Sequence, residues 1–195
     1  HYDLNAVEIS DEEQKEMMEK ALQSIQSCSE LINRVRILKE VESQQLEGQI
    51  NMSFILKEAI NLHEKQAEDK GIDIRYIEDG TDVKVRSGSR GGALIESVFS
   101  NLIDNSIKHS NGDLIRISAE ENREYVTVNI EDDGDGNPSK IRSRLYNDRH
   151  MEEDVMGGGL GLRIVKNVIE NLNGKVRVED SNLGGVSIKV MMKKI

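Results

Sequence analysis

Residues Gly91–Asn111 read GGALIESVFSNLIDNSIKHSN. The apolar residues Leu94/Ile95, Val98, Leu102 and Ile107 recur at helical spacing, which predicts an amphipathic helix. Asn101 and Asn105 stand four apart, so a helix stacks them one turn apart on one face. Asparagine is a poor helix former, because its side chain competes for backbone hydrogen bonds. Two of them inside an otherwise good helix call for a reason. Lys108 and His109 follow about a turn later. Two amides, an ammonium and an imidazole on one face suit a metal ion and phosphate oxygens. They equally suit a half-exposed helix with its polar side in water, and this stretch alone does not choose between the two.

The bulk of the chain narrows the choice. Its 195 residues are enough for one domain, or one domain plus an appendage. With 36% hydrophobic residues, only 3% aromatic and no Trp, the core must be aliphatic. The net charge of −10 argues against a nucleic-acid surface, which is normally basic. Cys28 is the single cysteine, which excludes an intramolecular disulfide and a multi-cysteine zinc site and fits a reducing, cytoplasmic setting. No apolar run approaches the roughly 18 residues of a membrane span, so no membrane contact is expected of this chain. The chain begins with His rather than Met, and a fragment of a longer protein is expected.

Upstream of the opening stretch, Ser10 followed by Asp11, Glu12 and Glu13 has the form of a capping box. A long amphipathic helix is predicted from there to about Glu47, with Met18, Leu22, Ile25, Leu31/Ile32, Val35 and Leu38 close to a heptad seam. Such a stripe needs a long partner, either another subunit or a truncated first helix, unless it lies across its own domain; residues 1–50 are read as a partial helical dimerisation element and 51–195 as a separate domain. Gly48 breaks the helix, and a second is expected from Phe54 to about Lys70, capped by Asn51 or Ser53 and closed by Gly71. Strands are expected at 72–77, 83–86, 114–119, 125–130, 175–179 and 186–192, and another helix at 160–172. Residues 137–157 show little periodicity and are read as a long loop, uncommon in a compact domain unless it works as a lid. Without a regular βαβ repeat, the pattern predicts an α+β fold, with helices on one face of a mixed, largely antiparallel sheet.

Two glycine-rich segments carry further chemistry. Asp132-Asp133-Gly134-Asp135-Gly136 leaves a strand. Its glycines let backbone pass close to a flat ligand, and a carboxylate at Asp132 can accept a hydrogen bond from an exocyclic amine. A calcium loop would need Glu at its twelfth position, where this chain has Ser143 or Arg144. Gly157-Gly158-Gly159-Leu160-Gly161-Leu162 opens a helix, whose free N–H groups favour an anion. No Gly-Lys-Ser/Thr follows, so it is not a Walker A loop.

Taken together and in this order, the three segments resemble the ATP-binding domain of the GHKL superfamily (gyrase, Hsp90, histidine kinases, MutL). Within it they are most similar to sensor histidine kinases. NLIDNSIKHS looks like their N box, DDGDG their G1 box and GGGLGLRIVK their G2 box. The likeness covers about residues 51–195, and SELINRVRILKEVE also resembles the second helix of the kinase dimerisation hairpin. It implies a two-layer α/β sandwich of the Bergerat type. Asn105 with Asn101 would hold Mg2+ on ATP, Lys108 would contact a phosphate, and His109 takes the aromatic or His position after it. Asp132 would receive the adenine amine, and Gly134 and Gly136 would shape its pocket. Gly157, Gly159, Leu160, Gly161 and Leu162 would close over the phosphates. In the lid, Leu145-Tyr146-Asn147-Asp148-Arg149 stands where a Phe-containing box belongs, with Tyr146 in place of Phe and with Arg144 and Arg149 as candidate phosphate contacts.

The resemblance implies transfer of the ATP γ-phosphoryl group to a His on the hairpin and then to a response regulator, in a homodimer. No catalytic residue is assigned within this chain. An extra residue spoils the acceptor motif at His1; His63 is followed by Glu as acceptors are, but it lies on the domain's own helix after the hairpin and reads as a solvated helix residue, so the acceptor is expected upstream. The alternatives are an ATPase or a serine (anti-sigma) kinase on the same fold, or a nucleotide-binding scaffold without activity. ATPases of this fold place a Glu on the N-box helix, whereas Glu96 lies five residues before Asn101.

Overall fold

The structure, a computed structural model, describes residues 17–18, 48–77, 83–87, 93–146 and 160–195. The chain divides into two compact units, His1–Arg36 and Ile37–Ile195. In the first, only Met17 and Met18 are described, helical and exposed. The capping box at Ser10 and the rest of the long helix lie outside the described residues.

The second unit is built on a five-stranded sheet. Its strands are β2 (Asp73–Ile77), β4 (Leu114–Glu121), β5 (Tyr125–Asp132), β6 (Lys175–Asp180) and β7 (Val186–Lys193). They lie in the order β2-β4-β5-β7-β6. Only β2 and β4 pair in parallel; every other pairing is antiparallel. A separate two-stranded sheet joins β1 (Gly48–Asn51) to β3 (Lys84–Ser87). The helices are α1 (Met52–Asn61), α2 (Glu64–Asp69), α3 (Ser100–His109), α4 (Pro138–Tyr146) and α5 (Leu160–Asn171), with a π-helical segment, Ala93–Phe99, running directly into α3.

Period-two alternation decides which face of the sheet is covered. Ile115, Ile117 and Ala119 of β4 and Val126, Val128 and Ile130 of β5 are buried, as are Val186, Ile188, Val190 and Met192 of β7. Against them pack Ile55 and Leu56 of α1, Leu94, Val98 and Phe99 of the π segment, Leu102 and Ile103 of α3, and Ile164, Val165, Val168 and Ile169 of α5. The other face is polar. Arg116 pairs across the strands with Glu131 at 2.7 Å, and Lys189 with Glu179 at 2.6 Å. The expected α+β architecture of helices over one face of a largely antiparallel sheet is what the chain adopts.

Three local expectations are corrected. Gly48 begins strand β1 rather than merely ending a helix. The helix expected from Phe54 to Lys70 starts at Met52, with Asn51 Oδ1 accepting from Ser53 N at 2.8 Å, and it breaks at Leu62–His63. The stretch 137–157, expected as a loop, contains α4. Its start was readable: Asn137 Oδ1 accepts from Lys140 N at 3.1 Å as a cap, and Pro138 occupies the first helical position, where a missing N–H costs nothing. Gly71 (φ 72) closes α2 as expected, and Asn173 (φ 57) takes the left-handed position after α5.

Phe99 is fully buried where the π segment meets α3. Phe99→Ala is expected to cost about 3–5 kcal/mol of stability, read from urea unfolding.

Candidate nucleotide site

The face predicted on the opening helix exists, but its phase is set by an unforeseen feature. Ala93–Phe99 is π-helical, so its ladder runs i→i+5 before α3 returns to i→i+4. Asn101, one residue into α3, spans this change: its Nδ2 donates to Ser97 O at 2.7 Å. With the amide nitrogen engaged in its own helix, Oδ1 is the atom Asn101 turns toward α5. Asn105, one turn on, has a buried Nδ2 with no hydrogen-bond partner among the described residues. A buried amide donor without a partner costs free energy and is rare in folded proteins.

Gly161 closes the distance between the two boxes. It lies buried in the first turn of α5. A Cβ built on it would stand 3.4 Å from Asn101 Oδ1 and 3.8 Å from Asn105 Nδ2. The first turn of α5, which carries the positive end of the helix dipole, therefore abuts the asparagine pair. No acidic residue occupies the first turn of α5. Two amides and a helix N-terminus meeting in this way favour an anion with a hard cation on it.

Asp132 ends β5 and is only 5% exposed. Its Oδ1 accepts from Val186 N at 3.1 Å and Gly134 N at 3.2 Å. Among the described residues its Oδ2 has only a long contact, 3.4 Å, from the Ser106 hydroxyl, so it keeps acceptor capacity. Burial pushes this carboxyl above its usual value, and the neighbouring Asp133 adds to the rise. The N–H groups of Val186 and Gly134 and the Ser106 hydroxyl pull the other way. Ser106 follows Asn105 directly, so one helix touches both the carboxylate and the α5 N-terminus.

The remaining predicted residues divide. A Cβ on Gly134 would fall 1.8 Å from Ser110 O, and one on Gly136 would fall 2.7 Å from Val186 Cγ2. These glycines admit neighbouring chain. Asp133 Oδ1 accepts from Asp113 N and Leu114 N at 3.0 and 2.9 Å and fixes the entry to β4. Lys108 and His109 are exposed at the end of α3, with Lys108 paired to Asp104 at 2.8 Å. Leu162 is buried in the core. Tyr146 donates its hydroxyl to Val176 O at 2.7 Å, with Lys166 Nζ 5.6 Å from its ring centre, so it tacks α4 onto β6. Leu160 opens α5, while Gly157, Gly159 and Arg149 lie outside the described residues.

Sequence reasoning missed Ser106, Gly185 and Val186. A Cβ on Gly185 would stand 2.1 Å from Asp132 Oδ1. Gly184-Gly185 reads as an ordinary turn until the fold brings it, more than fifty positions along the chain, against Asp132. His63 is also not the solvated residue expected. Its Nε2 lies 2.6 Å from Ser100 Oγ and its Nδ1 3.0 Å from Gln66 Oε1.

Residues 91–194 match the family described as histidine kinase-, DNA gyrase B- and HSP90-like ATPase. The chain belongs to this family. Among curated relatives, the heme sensor protein HssS of Staphylococcus saprophyticus is 24% identical over 191 residues, 95% of this chain and 40% of that protein. The chain spans less than half the length of the curated relatives it matches. Among solved structures, the catalytic domain of histidine kinase ThkA superposes with a TM-score of 0.64 at 23% identity, covering 75% of this chain and 96% of that one. Histidine kinase AdeS of Acinetobacter baumannii gives 0.66 at 23%, covering 90% and 83%. At these identities the likeness establishes the fold, that of histidine kinase catalytic domains. The family is one of ATPases, which supports ATP as the nucleotide. Among the described residues no helix is long and apolar enough to cross a membrane.

Because the folded protein holds the Asp132 proton more tightly than the unfolded chain does, this group favours folding fully only below the ordinary value of 3.8. That contribution is lost as pH rises through the raised native pKa. Asp132→Asn, which keeps an oxygen for Val186 and Gly134, is therefore expected to melt higher than the parent at pH 7. The gap should narrow as pH falls, as followed by thermal melts across pH.

Proposed function

We propose that this chain is the ATP-binding catalytic part of a sensor histidine kinase. It passes the γ-phosphoryl group of ATP to a His on a dimerisation hairpin, from which a response regulator takes it. The observation that carries this reading is the meeting of Asn101 Oδ1 and the unpartnered Asn105 Nδ2 with the N-terminus of α5. A buried amide donor beside a helix N-terminus is matched by phosphate oxygens, and amide oxygens suit Mg2+. Among the described residues no group of three or more His, Cys, Asp or Glu could hold a metal. Mg2+ commonly rests on one or two protein oxygens, water and substrate phosphates, and Asn101 and Asn105 fit that role. It would supply neutralisation of the phosphate charge during transfer.

The other residues then have assigned parts. Asp132 Oδ2 accepts from the adenine amine, while its Oδ1 stays with Val186 and Gly134. Lys108 contacts a phosphate, and His109 flanks it. Gly157, Gly159 and Gly161 let the chain close over the phosphates, with Tyr146 at the lid's first helix. In transfer, the bond from the γ-phosphorus to its bridging oxygen breaks, a P–N bond to an imidazole forms, and ADP leaves. His63 is not offered as the acceptor, since both of its ring nitrogens are engaged. The family match and the ThkA-like fold support the kinase reading, as does a TM-score of 0.69, at 20% identity over 95% of this chain, to full-length ShkA, which was solved with AMPPNP. Water-activating chemistry is less well served, because Glu96 is exposed on the π segment. We place the chain in the cytoplasm, in a protein that dimerises through its hairpin, with residues 1–50 belonging to that element and 51–195 to the catalytic domain.

The deciding experiment mixes this chain with labelled ATP and a separately supplied dimerisation hairpin. Acid-labile phosphate on a hairpin His is expected. Acid-stable phosphate on Ser or Thr, or phosphate release alone, would overturn the kinase reading. In calorimetry, Asn105→Ala should weaken Mg-ATP at least tenfold, about 1.4 kcal/mol. Asp132→Asn should weaken ATP and adenosine alike, because an amide NH2 would then face the adenine amine. Unchanged affinity in either variant would refute that residue's role.

A further inference from the structure

Ser100, Asp104 and Lys108 stand one turn apart on α3, on a stripe beside the one that carries Asn101 and Asn105. The α1–α2 junction contacts this stripe through a closed polar ring. His63 Nε2 meets Ser100 Oγ at 2.6 Å, and His63 Nδ1 meets Gln66 Oε1 at 3.0 Å. Gln66 Nε2 donates to Asp104 Oδ1 at 3.2 Å. The other carboxylate oxygen, Asp104 Oδ2, holds Lys108 Nζ at 2.8 Å. A carbamoyl oxygen only accepts, so His63 Nδ1 carries the proton and the ring orientation is fixed from both sides. The break between α1 and α2 is what places His63 and Gln66 here, where an unbroken helix would have turned them along its own axis.

A lone lysine–carboxylate pair on a helix surface does little, because a flexible lysine must be ordered to form it. This pair differs in that Asp104 is itself anchored. Its second oxygen is engaged by Gln66, which is held by His63, which returns to α3 at Ser100. Lysine has three N–H donors, so Lys108 can keep Asp104 and still reach a phosphate oxygen. We infer that Asp104 is a positioning residue that sets Lys108 toward the phosphates, and that Gln66 and His63 hold Asp104 for this task. The inference rests on the reading of Lys108 as a phosphate contact. It gives a purpose to a polar ring that the nucleotide site itself does not require.

Calorimetry with Mg-ATP and with adenosine tests it, on the full chain and on Lys108→Ala, Gln66→Met and the Lys108→Ala/Gln66→Met double variant. Gln66→Met leaves the Asp104 charge in place, so it reads positioning rather than relief of repulsion between carboxylate and phosphate. It should weaken Mg-ATP roughly three- to tenfold, in the lower part of the range of coupling between contacting residues, and leave adenosine unchanged. In the Lys108→Ala background it should have no further effect. Wild-type ATP affinity in Gln66→Met, equal losses for ATP and adenosine, or a loss that persists without Lys108 would each overturn the inference while leaving the nucleotide site standing. If Lys108→Ala itself binds ATP as the parent does, the phosphate-contact reading fails and the inference goes with it.

Discussion

One buried carboxylate fastens the parts of this domain that make its site. Asp132 closes β5, draws the start of β7 inward through Val186 N and meets α3 through Ser106. A charged group this deep is tolerated only where donors surround it. Here two backbone N–H groups converge on one oxygen, and the other is left with a single long contact. That asymmetry separates the structural half of the carboxylate from the half available to a ligand. The glycines around it follow from the same demand. Gly134 and Gly185 let backbone come within hydrogen-bonding distance of Asp132, where any Cβ would collide with Ser110 O or with the carboxylate itself.

The opposite end of the site depends on how α3 is phased. The π-helical segment widens the turn before Ser100, and Asn101 spans the change in ladder with its own amide nitrogen. Below it, Phe99, Leu102 and Ile103 are fully buried, which pins the helix against rotation. A helix held this firmly on its apolar side can keep an unpartnered amide at Asn105 facing the start of α5. The strain of that unpaired donor is stored where a ligand oxygen would relieve it. Core packing and ligand affinity are thus linked through one rigid element, with apolar residues setting the position of polar ones.

Much of this was legible from residues in order. The alternation of β4 and β5, the helical stripe in Leu94–Ile107 and the caps at Asn51 and Gly71 all depend on near neighbours, and all appear in the structure close to where the pattern puts them. The misses have different causes. The start of α4 was signalled by Asn137-Pro138 but lost among charged residues of weak periodicity. The break at His63 cannot be seen locally, because α1 continues well as a helix until tertiary contacts with Ser100 and Asp104 favour another path. The Tyr146 hydrogen bond to the β6 backbone likewise depends on how α4 meets the sheet.

The sequence by itself determined the chemistry available: paired asparagines on a helix, an acidic glycine run at a strand exit and a glycine-rich helix start, in an order that marks the ATPase family. Side-chain type and spacing carry that information, since they act over one or two turns of chain. Only the tertiary structure decided which atoms meet. Val186 and Gly185 reach Asp132 through the pairing of β7 with β5, and Gly161 reaches Asn101 and Asn105 through the packing of α5 on α3. Those approaches join residues more than fifty positions apart. They are set by the packing of aliphatic side chains brought together from elements distant in sequence, which no local pattern records.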